Sequence, residues 1–167
     1  MKTLLLMRHA KSDWEAPHEG DHERPLNERG VRSARVVGRL LASRGETPDH
    51  VISSTAIRAR TTAELAAATG GWAAAIALDR ALYNSGPDGV IEVAAGAPDV
   101  SRLMLVGHQP TCSLVVGEMT GERVDMTTAA VAVIEFDIVA WSEVPGTRGL
   151  LVEVIYPREH FGSEYDV

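Results

Sequence analysis

The stretch Leu4-Leu5-Leu6-Met7-Arg8-His9-Ala10-Lys11-Ser12-Asp13-Trp14 decides how this chain of 167 residues is read. An apolar run stops abruptly at an arginine and a histidine. A short buried strand with charge at its carboxyl end is how an α/β protein delivers reactive groups to the rim of its sheet. Arg8 supplies a permanent cation whose planar fork of donors suits a phosphate or carboxylate. His9 supplies a nitrogen that can attack or carry a proton near neutral pH. On its own the pair is also compatible with a core strand simply meeting water, so the remainder of the chain has to decide.

The same design returns at Leu103-Met104-Leu105-Val106-Gly107-His108. Gly107 is expected to let the backbone bend and approach a ligand closely. Between the two runs, strands and helices alternate. Asn27 is a plausible cap for a helix whose apolar face is Val31, Ala34, Val37, Leu40 and Leu41, with Gly45 as its stop. Arg32, Arg35 and Arg39 fall off that face and read as solvated. His50 to Ser53 is a second strand. Ser54 or Thr55 can cap the next helix, Ala56 to Thr69, with Ile57, Leu65 and the alanines packing. Ala75 to Leu78 is a third strand, and a short helix begins near Gly86-Pro87. After His108 another helix opens at Pro110 or Thr111, with Leu114, Val115 and Met119 inward. Two strong β runs, Ala130 to Phe136 and Leu150 to Ile155, flank the turn signal Pro145-Gly146 and predict an antiparallel pair. The last residues, Tyr156 to Val167, carry no assignable pattern.

The expected fold is therefore α/β: a three-layer sandwich with a mostly parallel sheet, helices on both faces and an antiparallel strand at the edge. Residues 1–167 read as a single domain, with no repeat or linker. Net charge is −7, which disfavours a nucleic-acid binder. The charge is unevenly spread, since residues 1–60 hold 11 of 16 basic and 8 of 23 acidic side chains and are net +3. An anion site on an acidic protein has that distribution. The lone Cys112 excludes an internal disulfide and fits a reducing compartment. It reads as a buried helix residue, because Glu118 stands where a cysteine phosphatase places its arginine. The apolar run before Arg8 is too short for a signal segment, and no run is long enough to cross a membrane, so a cytoplasmic protein is expected.

All parallel strands end on one rim, which must collect Arg8, His9, Arg58 and His108. Arg58 lies in the first turn of its helix and points back to that rim. A cation there mildly opposes the helix dipole, a local conflict that a functional arginine would show and that a surface arginine also tolerates. Two guanidinium groups and two imidazoles around a crevice suit a phosphoryl group. No Walker loop is present. His18 and His22 are spaced for a metal, but Pro17 and Gly20 argue against the helix that would align them.

Three segments carry a family resemblance. Leu6-Met7-Arg8-His9-Ala10-Lys11-Ser12 resembles the Arg-His-Gly signature of the histidine phosphatase (phosphoglycerate-mutase-like) superfamily, with Ala10 in place of the glycine. Ser54 to Thr62 resembles its second-arginine segment, and Val106-Gly107-His108 its second-histidine segment. Arg8 to Trp14, Glu23 to Gly30 and the short length resemble the SixA-type phosphohistidine phosphatases. The resemblance implies that His9 is the nucleophile, that Arg8 and Arg58 grip the phosphoryl oxygens, and that His108 completes the pocket. Ser12, Arg24, Lys11 and Gly107 become substrate contacts. No metal or cofactor is implied.

A carboxylate acid is missing from the expected places: Gln109 follows His108, and Leu82-Tyr83-Asn84-Ser85 contains no Glu. Asp21, Asp79 and Asp88 remain as candidates. An alkoxide leaving group needs a proton far more than the basic nitrogen of a phosphohistidine does. The gap thus favours P–N over P–O cleavage, and so a protein phosphohistidine over a small phosphate ester. The ester reading, and a weakly catalytic phosphate-binding module, stay open. A mutase is disfavoured because little chain is left to shield a phosphoenzyme from water.

Overall fold

The computed structural model describes residues 1–167. One six-stranded sheet organises them, in the order β3-β2-β4-β1-β5-β6. Its strands are β1 (Lys2–Arg8), β2 (His50–Ser53), β3 (Ala75–Leu78), β4 (Arg102–Gly107), β5 (Val131–Phe136) and β6 (Leu150–Ile155). The first four run parallel, and β5 is antiparallel to both β1 and β6. The expected antiparallel pair is present. The strand opposed to the rest is β5, one place in from the edge, because β6 turns back again to flank it.

The helices are α1 (Glu28–Ser43), α2 (Ile57–Gly70), α3 (Ala81–Asn84), α4 (Pro87–Ala95) and α5 (Thr111–Thr120). From β1 through β3 the chain moves toward one edge, and α1 and α2 lie on one face. The chain then reverses, inserting β4 between β2 and β1, and right-handed crossover puts α4 on the opposite face. Alternation along β1 feeds both layers. Leu5 and Met7 join α1 and α2; Leu4 and Leu6 join α4, α5 and Trp141.

α1 starts as expected, with Asn27 Oδ1 accepting from the Gly30 amide at 2.8 Å. Other expectations need correction. Ile57 and Leu65 are only partly buried, and α2 packs through Ala59, Ala63, Ala66 and Ala67. That small-residue face admits close approach, since a Cβ at Gly38 of α1 would run into the Ala66 carbonyl. Leu114 is 52% exposed, because the inward face of α5 repeats from Cys112 through Val115, Val116 and Met119. The connection between β5 and β6 is not a bare turn. A 3-10 helix over Trp141–Gly146 buries Trp141 and Val144.

The tail also acquires a structure. A 3-10 helix over Pro157–His160 leads to Asp166, which pairs with Arg32, and to the Tyr165 carbonyl, 3.0 Å from Arg39 Nη1. Two arginines expected to face only solvent therefore fasten the chain end to α1. No helix is long and apolar enough to cross a membrane.

Candidate active site

The register of the sheet builds the site. Arg8 of β1 pairs with Gly107 of β4, so His9 and His108 leave adjacent parallel strands side by side. Their ring centroids are 5.1 Å apart. The His9 amide donates to the Gly107 carbonyl at 2.9 Å, and its carbonyl accepts from Ala129 N at 3.0 Å. On the other side of β4, Ser54 N donates to the Val106 carbonyl at 2.9 Å, and α2 begins three residues later with Arg58 in its first turn. Arg8, His9, Arg58 and His108 thus line one cavity of about 610 Å³.

The loop after β1 forms the rest of the wall. Ser12 and Leu26 make an isolated antiparallel bridge, flanked by Asp13 N to Pro25 O at 2.8 Å and Asn27 N to Lys11 O at 3.0 Å. A side chain at Gly30 would strike the Lys11 carbonyl, so α1 can press on this loop only with glycine there. The bridge brings Arg24 to Ser12, whose hydroxyl accepts from Nε at 2.9 Å. Arg24 is buried, and its guanidinium stacks 3.5 Å from the ring of Trp14, which is 68% exposed at the rim.

Asp21 lies between the arginines. Its side chain accepts from Arg24 Nη1 at 2.5 Å, from Arg58 Nη2 at 2.9 Å and from the Tyr83 hydroxyl at 3.1 Å. Partial burial alone would raise its pKa, but the hydrogen bonds from Arg58 and Arg24 outweigh that and hold it at about 2. It is therefore a fixed anion at neutral pH and has no proton to give.

Both imidazoles are held neutral. Burial lowers the His9 pKa to about 3, with His108, Arg58 and Arg8 adding repulsion against the partial opposition of the Ala10 carbonyl. Burial also lowers His108 to about 4, with Arg58, Arg24 and Arg8 assisting and Asp21 opposing. His9 Nδ1 lies 2.7 Å from the Ala10 carbonyl, which can only accept. The proton is thus fixed on Nδ1, and Nε2 keeps its lone pair. His108 Nε2 meets the Ser54 hydroxyl at 2.8 Å. Three buried side-chain atoms of the protein have no hydrogen-bond partner, namely Arg8 Nε, Arg58 Nε and His108 Nδ1, and all three belong to this site. Such orphans mark where an additional polar group belongs.

Lys11, Ser12 and Arg24 line the cavity as expected. Gly107 does not. It ends β4 and contributes its carbonyl to His9, and a Cβ there would make only ordinary contact with Cys112 and Leu82. Among the candidate acids, Asp79 caps α3 through Ala81 N at 2.9 Å and Asp88 is exposed on α4; neither lines the cavity. Ser54 is not the N-cap of α2; that residue is Ala56, whose amide donates to the Ser54 hydroxyl at 3.2 Å while that hydroxyl also meets His108 Nε2. His18 bonds the Ala16 carbonyl, while His22 reaches Glu23 and Thr55. No group of three or more His, Cys, Asp or Glu side chains is placed to hold a metal. Cys112 is buried, with its thiol pushed up to about 12 by desolvation. Tyr83, Asn84, Gln109 and Thr128 also line the cavity without having been singled out by the sequence. The absence of an acid at Gln109 and in the run Leu82 to Ser85 was the signal that pointed to three of them; Thr128 had none.

The model of the histidine phosphatase superfamily (branch 1) matches residues 4–84. SixA of Nakamurella multipartitia, a proposed phosphohistidine phosphatase, superimposes with a TM-score of 0.82 and 30% identity over 93% of this chain and 96% of that one. The chain belongs to the histidine phosphatase superfamily. A second superfamily structure, the proposed SixA of Agrobacterium tumefaciens, gives a TM-score of 0.80 and 30% identity over 93% of this chain and 98% of that one. An uncharacterised protein of Mycobacterium tuberculosis is 42% identical over 130 residues, 75% of this chain and 76% of the relative. Membership of the superfamily, with the likeness to SixA proteins, supports a phosphatase.

Proposed function

We propose that this phosphatase acts on phosphohistidine in proteins, through a covalent intermediate on His9. The observation that carries the nucleophile is the Ala10 carbonyl on His9 Nδ1, which leaves Nε2 unprotonated beside three unpartnered donor-capable atoms. In this reading Nε2 attacks phosphorus as the substrate's P–N bond breaks. Arg8 and Arg58 hold the equatorial oxygens and spread the developing charge. His108 adds a further contact through its unpartnered nitrogen. Arg24 and Lys11 bind the substrate, with Ser12 steadying Arg24. Water then attacks the phosphorus, the His9–phosphorus bond breaks, and inorganic phosphate leaves. The reaction so written uses no metal or cofactor.

The substrate class rests on the protons in the cavity. Asp21 is ionised and both imidazoles are neutral at pH 7. The Tyr83 hydroxyl is already given to Asp21, and its pKa is raised by burial and by that bond. No strong acid faces the leaving group. A departing imidazole can arrive protonated from solvent, whereas an alkoxide cannot. Trp14, 68% exposed, stands at the rim of the cavity, where a side chain on another protein would enter.

The test is a competition. Phosphohistidine protein and a panel of sugar and nucleotide monophosphates are offered, and kcat/KM is compared. Preference for phosphohistidine by a large factor is expected, with a quenched phosphoenzyme that is acid-labile and base-stable. A large preference for an ester would overturn the substrate class, and label elsewhere than His9 would overturn the nucleophile.

A further inference from the structure

A second, smaller cavity of about 120 Å³ lies beside the first and shares Lys11 and Thr128 with it. Its remaining walls are Arg29, Ser33, Thr127, Pro157 and Arg158. These come from four separate parts of the chain. Lys11 is in the loop after β1, and Arg29 and Ser33 are one turn apart on α1. Thr127 and Thr128 precede β5, and Arg158 is in the 3-10 helix after β6.

The cavity contains three cations and no carboxylate. Lys11, Arg29 and Arg158 take part in no ion pair. Asp13 and Glu28 share a neighbouring groove with Lys11 and Arg29 and pair with neither. Ser33, a polar residue that is only 7% exposed, lines this cavity between the cations. The backbone reinforces the placement. Ala130 N donates to the Thr127 carbonyl at 3.0 Å, closing a turn in which Ala129 has φ 63°, a left-handed conformation that alanine rarely adopts. That turn holds Thr128 on the wall between the two cavities.

We infer that Lys11, Arg29, Arg158, Ser33 and Thr127 form a second anion-binding subsite, which receives a carboxylate or phosphate group carried by the same substrate whose phosphoryl group occupies the His9 cavity. Three cations with two hydroxyls match an anion's charge and its acceptor-only oxygens. The shared wall places the two anionic groups on one molecule. The substrate-directed part rests on the proposed phosphatase reading; binding of an anion does not. One chemistry can come from two sources: an acidic side chain near a phosphohistidine, or the second phosphate of a small bisphosphate.

The test uses Arg29→Gln/Arg158→Gln, which leaves Lys11 and the first cavity intact. Calorimetric titration with inorganic phosphate should show two binding events in the unmodified protein and one in the double variant. In Arg58→Ala the event at the first cavity should weaken while the second persists, so loss of the catalytic reading is distinguishable from loss of the subsite. KM should rise about tenfold in the double variant for substrates with two anionic groups only. A phosphohistidine peptide with a neighbouring glutamate is compared with its glutamine counterpart, and a sugar bisphosphate with its monophosphate; the responding pair identifies the source. A single phosphate site in the unmodified protein, or a second that survives the double variant, overturns the subsite. Unchanged KM for every doubly anionic substrate overturns its role in substrate recognition.

Discussion

His9 and His108 end neighbouring strands in the same way, yet their surroundings differ. His9 Nδ1 faces a backbone carbonyl, so its tautomer is fixed and Nε2 is left as a lone pair. His108 Nε2 faces the Ser54 hydroxyl, which can donate or accept, so its remaining nitrogen is free to suit whatever enters. Two copies of one sequence design are thereby made unequal by a single neighbouring atom. The fixed ring is suited to attack; the adaptable ring is suited to hold an oxygen. Arg58 and Arg8 act on both, since their charge helps keep each ring neutral.

The largest effect should follow from removing the fixed ring. His9→Ala is expected to lower kcat by 10⁴-fold or more, on the order seen when a covalent nucleophile is deleted. His108→Ala should cost less and still permit a phosphoenzyme to be trapped at His9. Rapid-quench kinetics with labelled substrate separates the two; equal losses in both variants would break the asymmetry. Arg58→Ala comes next, at about 3 kcal/mol of transition-state stabilisation for one lost clamp. It should also free Asp21 from one of its partners and raise the carboxyl pKa, which NMR titration of Asp21 would register.

The difference between the two rings shows how far residue patterns reach. The strand-end positions of His9 and His108, and their meeting, were legible because parallel strands with helical crossovers must end on one rim. Arg58 followed from its place one turn into α2. Asp21 was visible only as one of three candidate acids. What makes it an anion instead is Arg58, brought from α2 to its carboxylate, with Arg24 three residues on adding a second bond; the first contact spans distant parts of the chain and has no periodic signal. Thr128 and Met126, whose carbonyl accepts from Arg8 Nη1 at 3.1 Å, arrive with the segment before β5. That segment reaches the site because β5 pairs antiparallel with β1. Gly107, expected from its place before a histidine to approach a ligand, ends a strand and does not line the cavity.

A smaller effect is expected at Ser54. Its hydroxyl is the partner of His108 Nε2 and also accepts from Ala56 N at 3.2 Å, so Ser54→Ala removes two hydrogen bonds, of which the one to the ring, worth about 1 kcal/mol, bears on kcat. The ring should keep its position through the neighbouring Tyr83, whose ring centroid is 5.6 Å away. A roughly fivefold fall in kcat with His9 labelling unchanged would fit. A loss as large as that of His108→Ala would mean that the hydroxyl, and not the ring, is what the substrate meets.

The smallest effect should appear where a histidine enzyme ordinarily shows a large one. Between pH 7 and pH 5 a solvent-exposed imidazole gains its proton, but His9 at about 3 and His108 at about 4 do not. The nucleophile should therefore survive mild acid, and ¹⁵N shifts of both rings should stay those of neutral imidazole down to pH 5. Stability should move in the opposite sense. Below about 6.5 the unfolded chain takes up protons at these two positions that the folded protein refuses. Folding free energy contributed by the neutral pair is thus complete above that pH and drains away as pH falls toward the folded values. Denaturant midpoints should decline from pH 6.5 to pH 4, less steeply in His9→Ala, which lacks the more strongly shifted ring. A ring that titrates near 6.5 in the folded protein would show that water reaches it, and the contrast between a fixed attacking nitrogen and an adaptable partner would then have lost its physical basis.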